Sequence, residues 1–172
     1  MIEKSNTELF LQEIFKHPTT KYTIRGLAKK TRLSPPTALR VVQKLEKEGI
    51  IQKSRVGTAS QVSANINSKT YIWMKRVNNL RGIYESGMIE EIIKEFNEPQ
   101  AIILFGSYGR GEDIERSDID IAIITSRENK MDMNKYEEIL GRTISLHCIT
   151  LDNVSKEFKS NLCNGIILNG AL

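Results

Sequence analysis

The segment from Ala101 to Ile124 limits the folds open to this chain more than any other. An apolar run, Ala101-Ile102-Ile103-Leu104-Phe105, leads directly into Gly106-Ser107-Tyr108-Gly109-Arg110-Gly111. Ten residues separate Ser107 from Asp118-Ile119-Asp120, which opens a second apolar run ending at Ile124. Short apolar runs bounded by a glycine-rich turn are strands. Side chains alternate between the faces of a strand, so Asp118 and Asp120 point the same way. They lie about 6–7 Å apart along it, within bridging distance of one divalent cation. Two like charges that close are unfavourable unless something positive lies between them. A Mg²⁺ ion carrying nucleotide phosphates meets that need. Ser107 and the backbone N–H groups of the turn are placed to hold the terminal phosphates. An isolated Asp-x-Asp is more often an exposed polar face, and an isolated Gly-Ser more often just a turn. The specificity lies in the two together at this spacing.

Gly106-Ser107, ten residues, then Asp118-x-Asp120, with Arg110-Gly111 and Ser117 between them, resembles the nucleotidyltransferase superfamily of DNA polymerase β, in its minimal branch. The resemblance implies catalytic and metal-binding roles for Asp118 and Asp120. It implies nucleotide-binding roles for Gly106, Ser107, Arg110 and Ser117. Mg²⁺ is then the cofactor and ATP, or another nucleoside triphosphate, the substrate. The implied reaction passes a nucleoside monophosphate, AMP foremost, to a hydroxyl of a protein or nucleic acid. Active relatives also place a third carboxylate on the following strand, where it completes the metal cradle and helps deprotonate the attacking hydroxyl. The matching positions here are Ser145 and His147, and neither is acidic. A lone His on a strand is usually structural, but a neutral imidazole also binds metals without offering negative charge. Asp152, Glu112, Asp113 and Glu115 are the loop acids left as substitutes. Some members of the branch act as antitoxins that adenylylate a HEPN-type toxin, and that partner is carried as an expectation.

Charge divides the 172-residue chain in two. Residues 1–87 hold 16 Lys and Arg against 6 Asp and Glu, a balance of +10. Residues 88–172 hold 9 against 15, a balance of −6, so the overall +4 conceals the asymmetry. A basic half attracts a polyanion, and an acidic half does not unless metal ions mediate. No stretch approaches the ~20 apolar residues of a membrane helix. The first residues, Met1 to Asn6, are not expected to be a signal peptide. Cys148 and Cys163 lack metal-ligand spacing and sit in apolar segments, as buried free thiols of a cytoplasmic protein do.

The basic half begins with a helical period over residues 6–17, stopped by His17-Pro18. Thr23 is a candidate N-cap for a short helix. Ser34 is another, with Pro35 at the first helical position. The helix from Pro35 to Glu48 puts Ala38, Val41, Val42 and Leu45 on one face and Thr37, Arg40, Lys44 and Lys47 on the other. Residues 50–55 and 61–64, joined through Val56-Gly57-Thr58-Ala59-Ser60, form a hairpin. Three helices and a hairpin, with Leu27-Ala28, Ser34-x-x-Thr37 and Leu45-x-x-Glu48-Gly49-Ile50-Ile51, resemble the winged helix-turn-helix family of archaeal and bacterial regulators. The resemblance implies that the third helix enters the major groove of double-stranded DNA. Pro36, Thr37 and Arg40 are then candidate base or backbone contacts, and Lys44, Lys53 and Arg55 phosphate contacts. The bland alternative is a solvated face.

Residues 68–86 are expected to form a connecting helix with a stripe of Trp73, Val77, Leu80 and Tyr84, which needs a covering surface; a homodimer is one candidate. Helix, strand, strand, helix (131–140), strand (143–149) and a helix capped by Asp152 then suit a small mixed sheet with helices on one face. The whole is an α+β chain: a winged helix-turn-helix domain (1–66), a connecting helix (67–87) and a small α/β nucleotidyltransferase domain (88–172). Two functions fit it. One is a Mg²⁺-dependent nucleotidyltransferase with a DNA-binding head. The other is a DNA-binding transcriptional regulator whose second domain is a weak or inactive nucleotide sensor.

Overall fold

Side-chain caps set the helix starts of the first part of the chain. Helix α1 (Asn6–Lys16) begins with a reciprocal box, Glu8 N donating to Ser5 Oγ and Ser5 N to Glu8 Oε2. Two N–H groups with no helical partner are thereby satisfied. Thr23, at the end of the short strand β1 (Tyr22–Thr23), accepts from Gly26 N at 3.0 Å and starts α2 (Ile24–Thr31). Ser34 accepts from Thr37 N at 3.3 Å and starts α3 (Pro35–Lys47). Strands β2 (Ile51–Val56) and β3 (Ala59–Ala64) form the antiparallel hairpin, and β1 adds to β3, giving the order β1-β3-β2. Phe10, Ile14, Leu27, Val42, Leu45 and Val62 are the centre of this core. The computed structural model describes residues 5–57, 59–127 and 129–172, so Met1 to Lys4, Glu128 and Thr58, the last expected in the hairpin connection, lie outside the described residues.

The chain divides into two units, one ending at Lys75 and the other starting at Arg76. Helix α4 (Lys69–Glu85) runs through that boundary. Its buried positions are not the expected stripe. Trp73 is 63% exposed, Val77 67% and Tyr84 46%, whereas Tyr71, Lys75, Asn79 and Ile83 are buried. Hydrophobic pattern selects the wrong face because two of the four inward residues are polar. Lys75 Nζ donates to Phe15 O at 3.0 Å, and Asn79 Nδ2 to Tyr108 O at 2.9 Å. A buried polar group is tolerated when it is hydrogen-bonded.

The second unit continues with α5 (Met88–Glu95), β4 (Ala101–Phe105), α6 (Gly106–Arg110) and β5 (Ile119–Ile124). It ends with α7 (Asn134–Leu140), β6 (Ile144–Ile149), α8 (Lys156–Cys163) and β7 (Ile166–Gly170). The sheet order is β6-β5-β4-β7, with β5 and β6 parallel and the other pairs antiparallel. Helices cover both faces, not one. Ile102, Leu104, Ile121 and Ile123 pack with Ile83, Ile92, Phe96 and Tyr136 on one side. Ile103, Phe105, Ala122 and Ile124 pack with Leu162 and Phe158 on the other. Burial on both faces is why β4 is a continuous apolar run with no alternation.

Three further expectations are corrected. Asp132 Oδ1 accepts from Asn134 N at 3.0 Å, a local turn that keeps residues 131–133 out of α7. Asp152 sits in a 3₁₀ turn (Leu151–Asn153), and the cap of α8 is Ser155, which accepts from Phe158 N at 3.2 Å. Both cysteines are free, but Cys163 is exposed and Cys148 only half-buried.

Ile121 is fully buried on a central strand. Ile121→Ala is expected to cost about 2–5 kcal/mol through lost burial and a cavity. Hydrogen-exchange mass spectrometry should register it as faster exchange in peptides spanning 101–124.

Candidate active site

At the β4–α6 junction Gly106 takes φ +74°, a left-handed conformation that suits glycine. A Cβ built there would run into Asp120 Oδ2. Phe105 and Asp120 are paired across the β4–β5 ladder, which brings the first turn of α6 and the carboxylate to the same end of the sheet. No side chain caps the start of α6. A helix start leaves N–H groups without helical acceptors.

The loop from Gly106 to Ser117 is held from several sides. Glu112 N donates to Ser107 O at 3.0 Å, and Ile114 N donates to Ser117 Oγ at 3.0 Å. Asn79 Nδ2 reaches both Tyr108 O and Asp113 Oδ1, the latter at 2.8 Å. Asp113 is 2% exposed and lies 3.6 Å from the Arg142 guanidinium. Sequence reasoning missed Asn79 and Arg142 as supports of this loop. An isolated Asn or Arg carries no pattern, and only the fold brings residues 79, 113 and 142 together.

Each predicted residue of this site can now be located. Asp118 is exposed, and Asp120, Gly106, Ser107 and Ser117 are half-buried. Arg110 is exposed and pairs with Glu112 at 2.7 Å, so a phosphate must compete with that carboxylate. Burial raises the Asp120 carboxyl above the ordinary value; His147 pulls it down, and the Asp118 charge adds to the rise. The two aspartates therefore sense each other, although Asp118 stands just before β5 (Ile119–Ile124) and not on the strand as expected. Ser117, expected against nucleotide, also closes the loop.

The substitute acids do not gather here. Asp113 is consumed by Asn79 and Arg142, and Glu112 by Arg110. Asp152 lines a cavity with Gln100, Ile124 and Thr125, at the opposite end of β5 from Asp120. His147 comes nearest, its Nε2 3.8 Å from Asp120 Oδ1. Among the described residues no three His, Cys, Asp or Glu side chains form a ready-made metal cage. A carboxylate pair nevertheless fits Mg²⁺, which is commonly held by one or two carboxylates together with substrate phosphates.

In the first unit, Pro36, Arg40 and Lys44 are exposed at four-residue spacing along α3. Thr37 is half-buried, its hydroxyl 2.8 Å from Ser34 Oγ. Arg55 is exposed on β2. Lys53 is half-buried and paired with Glu46 at 2.5 Å. Among the described residues no helix is long and apolar enough to cross a membrane.

Comparison with known proteins agrees with both halves. Residues 88–171 match the family described as polymerase beta, nucleotidyltransferase. Residues 11–52 match the family of winged helix-turn-helix DNA-binding domains. A curated relative from Methanocaldococcus jannaschii, "Putative protein adenylyltransferase MJ1379", is 30% identical over 84 residues, covering 49% of this chain and 82% of that protein. The structure of a point mutant of ZitR from Lactococcus lactis is similar at 14% identity with a TM-score of 0.40, covering 56% of this chain and 66% of the other.

Asp120→Asn is expected to raise the melting temperature at pH 7. A carboxyl raised in the folded state is unfavourable once charged, so stability is lost as pH rises from the unfolded value through the folded one. The gain should vanish below about pH 4, where both states are protonated. Melting curves across that range check the sign.

Proposed function

The chain belongs to the polymerase β nucleotidyltransferase family, with a winged helix-turn-helix unit ahead of the catalytic-type domain, and from that premise we propose that it transfers AMP from ATP to a hydroxyl of a protein. The observation that carries the proposal is the seating of Asp120 against Gly106, with the Asp118 charge beside it. A triphosphate held by the first turn of α6 is thereby brought to the carboxylate pair. Asp118 and Asp120 would hold a divalent cation, Mg²⁺ in the first instance. That ion, when bound, neutralises phosphate charge as the leaving group departs.

The remaining roles fall to this chain's own groups. Ser107 and the α6 N–H groups bind the β- and γ-phosphates. Arg110 leaves Glu112 to add positive charge at the phosphates. The acceptor oxygen bonds to the α-phosphorus in line, the bond to the β-phosphate oxygen breaks and pyrophosphate leaves. The acceptor proton passes to water. Much of the catalysis in such a transfer is positioning and electrostatics. A protein acceptor is favoured over a nucleic acid by the similarity to the archaeal putative protein adenylyltransferase. A HEPN-type toxin is the acceptor class we would try first, in a cytoplasmic setting.

The winged helix would bind double-stranded DNA through α3, with Pro36, Thr37 and Arg40 toward the bases and Lys44, Lys53 and Arg55 toward phosphates. A homodimer reading a two-fold site suits such a head. A second reading is favoured by one observation, that no third acid stands beside Asp120 among the described residues. On that reading the second domain is a nucleotide sensor that biases DNA binding and transfers nothing.

Incubation with α-labelled ATP, Mg²⁺ and candidate acceptor proteins separates the two. The enzyme reading expects labelled acceptor, lost by at least about a hundredfold in Asp118→Ala and Asp120→Ala. Tight ATP binding with no labelled acceptor supports the sensor. Gel shifts at rising salt test the head: a sequence preference should persist while non-specific binding fades, and Arg40→Ala should relax it.

A further inference from the structure

One imidazole packs between two aromatic rings with a nitrogen turned toward the carboxylate pair. His147 lies on β6 next to Ala122 of β5, on the sheet face that also carries Asp120 and Phe105. Its ring contacts Phe105 and Phe158, with centroids 5.4 and 5.9 Å away. The aromatic rings fix the imidazole plane. The side chain as a whole is 38% exposed, yet Nε2 has no accessible surface and no hydrogen-bond partner. That nitrogen is 3.8 Å from Asp120 Oδ1, outside hydrogen-bond range. A buried nitrogen left without a partner is costly.

The spacing has a direct interpretation. Two donors that each lie about 2.0–2.2 Å from one ion are about 3–4 Å from each other. Oδ1 of Asp120 and Nε2 of His147 meet that separation. The ring is held by Phe105 and Phe158, and its Nε2 is the atom that approaches the Asp120 carboxylate. Imidazole nitrogen is a better ligand for first-row transition ions than for Mg²⁺, which prefers charged oxygens.

Resting on the nucleotidyltransferase reading, we propose that His147 ligates the catalytic cation together with Asp120, and that the site therefore selects Mn²⁺ over Mg²⁺. The phosphates and Asp118 complete the coordination, so no closed protein cage is needed. His147 is then a specificity-determining residue for the metal, and it compensates for the carboxylate that this strand lacks.

The test uses the whole protein with Mn²⁺ and inorganic tripolyphosphate, which contributes no nitrogen. Pulsed EPR should detect nitrogen modulation from a directly bound imidazole in the unaltered protein and none in His147→Ala. Calorimetry should give tighter binding of Mn²⁺ than of Mg²⁺, and His147→Ala should weaken Mn²⁺ binding at least about tenfold, a loss of that order being typical even of groups that merely orient ligands. In His147→Asp the preference should shrink about tenfold toward Mg²⁺. Absence of nitrogen modulation in the unaltered protein overturns the proposal, as does equal affinity for the two ions. If Asp118→Asn and Asp120→Asn still abolish binding in that case, the nucleotidyltransferase site stands and only His147 is misassigned. If those variants bind Mn²⁺ unchanged, the site reading itself falls.

Discussion

The approach of Asp120 to the Cα of Gly106 is the contact on which the rest of the second unit depends. It can form only where position 106 has no side chain and a left-handed backbone. Given that contact, the chain can leave β4, turn at once into α6 and still keep β5 beside β4 in register. Helix start and carboxylate then occupy one corner of the sheet. A methyl group at 106 would separate them. The motif is therefore a packing solution as much as a set of chemical groups, and its glycine is as necessary as its acids.

The loop that follows is held by buried polar groups, which have consequences of their own. Asp113, Asn79 and Arg142 come from three distant stretches of chain and meet beneath residues 106–113. Apolar packing would hold such a loop loosely, because many arrangements bury similar area. A hydrogen bond to one carbonyl oxygen accepts far fewer. Such precision is what the proposed phosphate-holding role would require.

Much of this was legible in the residues, and the misses share a cause. Thr23, Ser34-Pro35 and Gly141 announce helix ends because their effects are local. The spacing from Ser107 to Asp120 announces the strand pair and its turn. What stayed hidden depends on partners far away in sequence. The inward face of α4 is defined by Lys75 and Asn79, whose hydrogen-bond acceptors lie 60 and 29 residues away. The brief final segment Ile166–Gly170 becomes a strand only because the edge of β4 is open to it. Asp152, expected as the cap of the last helix, lies instead in a 3₁₀ turn, and Ser155 caps that helix. His147 had been weighed as a bystander or a ligand, and only the ring contacts and the lone nitrogen distinguish the two.

The ion pair between Lys53 and Glu46 has a further meaning for the basic half. A lysine already neutralised within the protein carries few condensed anions of its own, and Glu46 must be displaced or tolerated when a polyanion arrives. Lys53 and Glu46 already cancel within the +10 balance of residues 1–87, so the exposed Arg55 is the less encumbered cation of the hairpin strand β2. Lys53 thus braces strand β2 to helix α3, and contact with a phosphate would require it to exchange Glu46 for that phosphate.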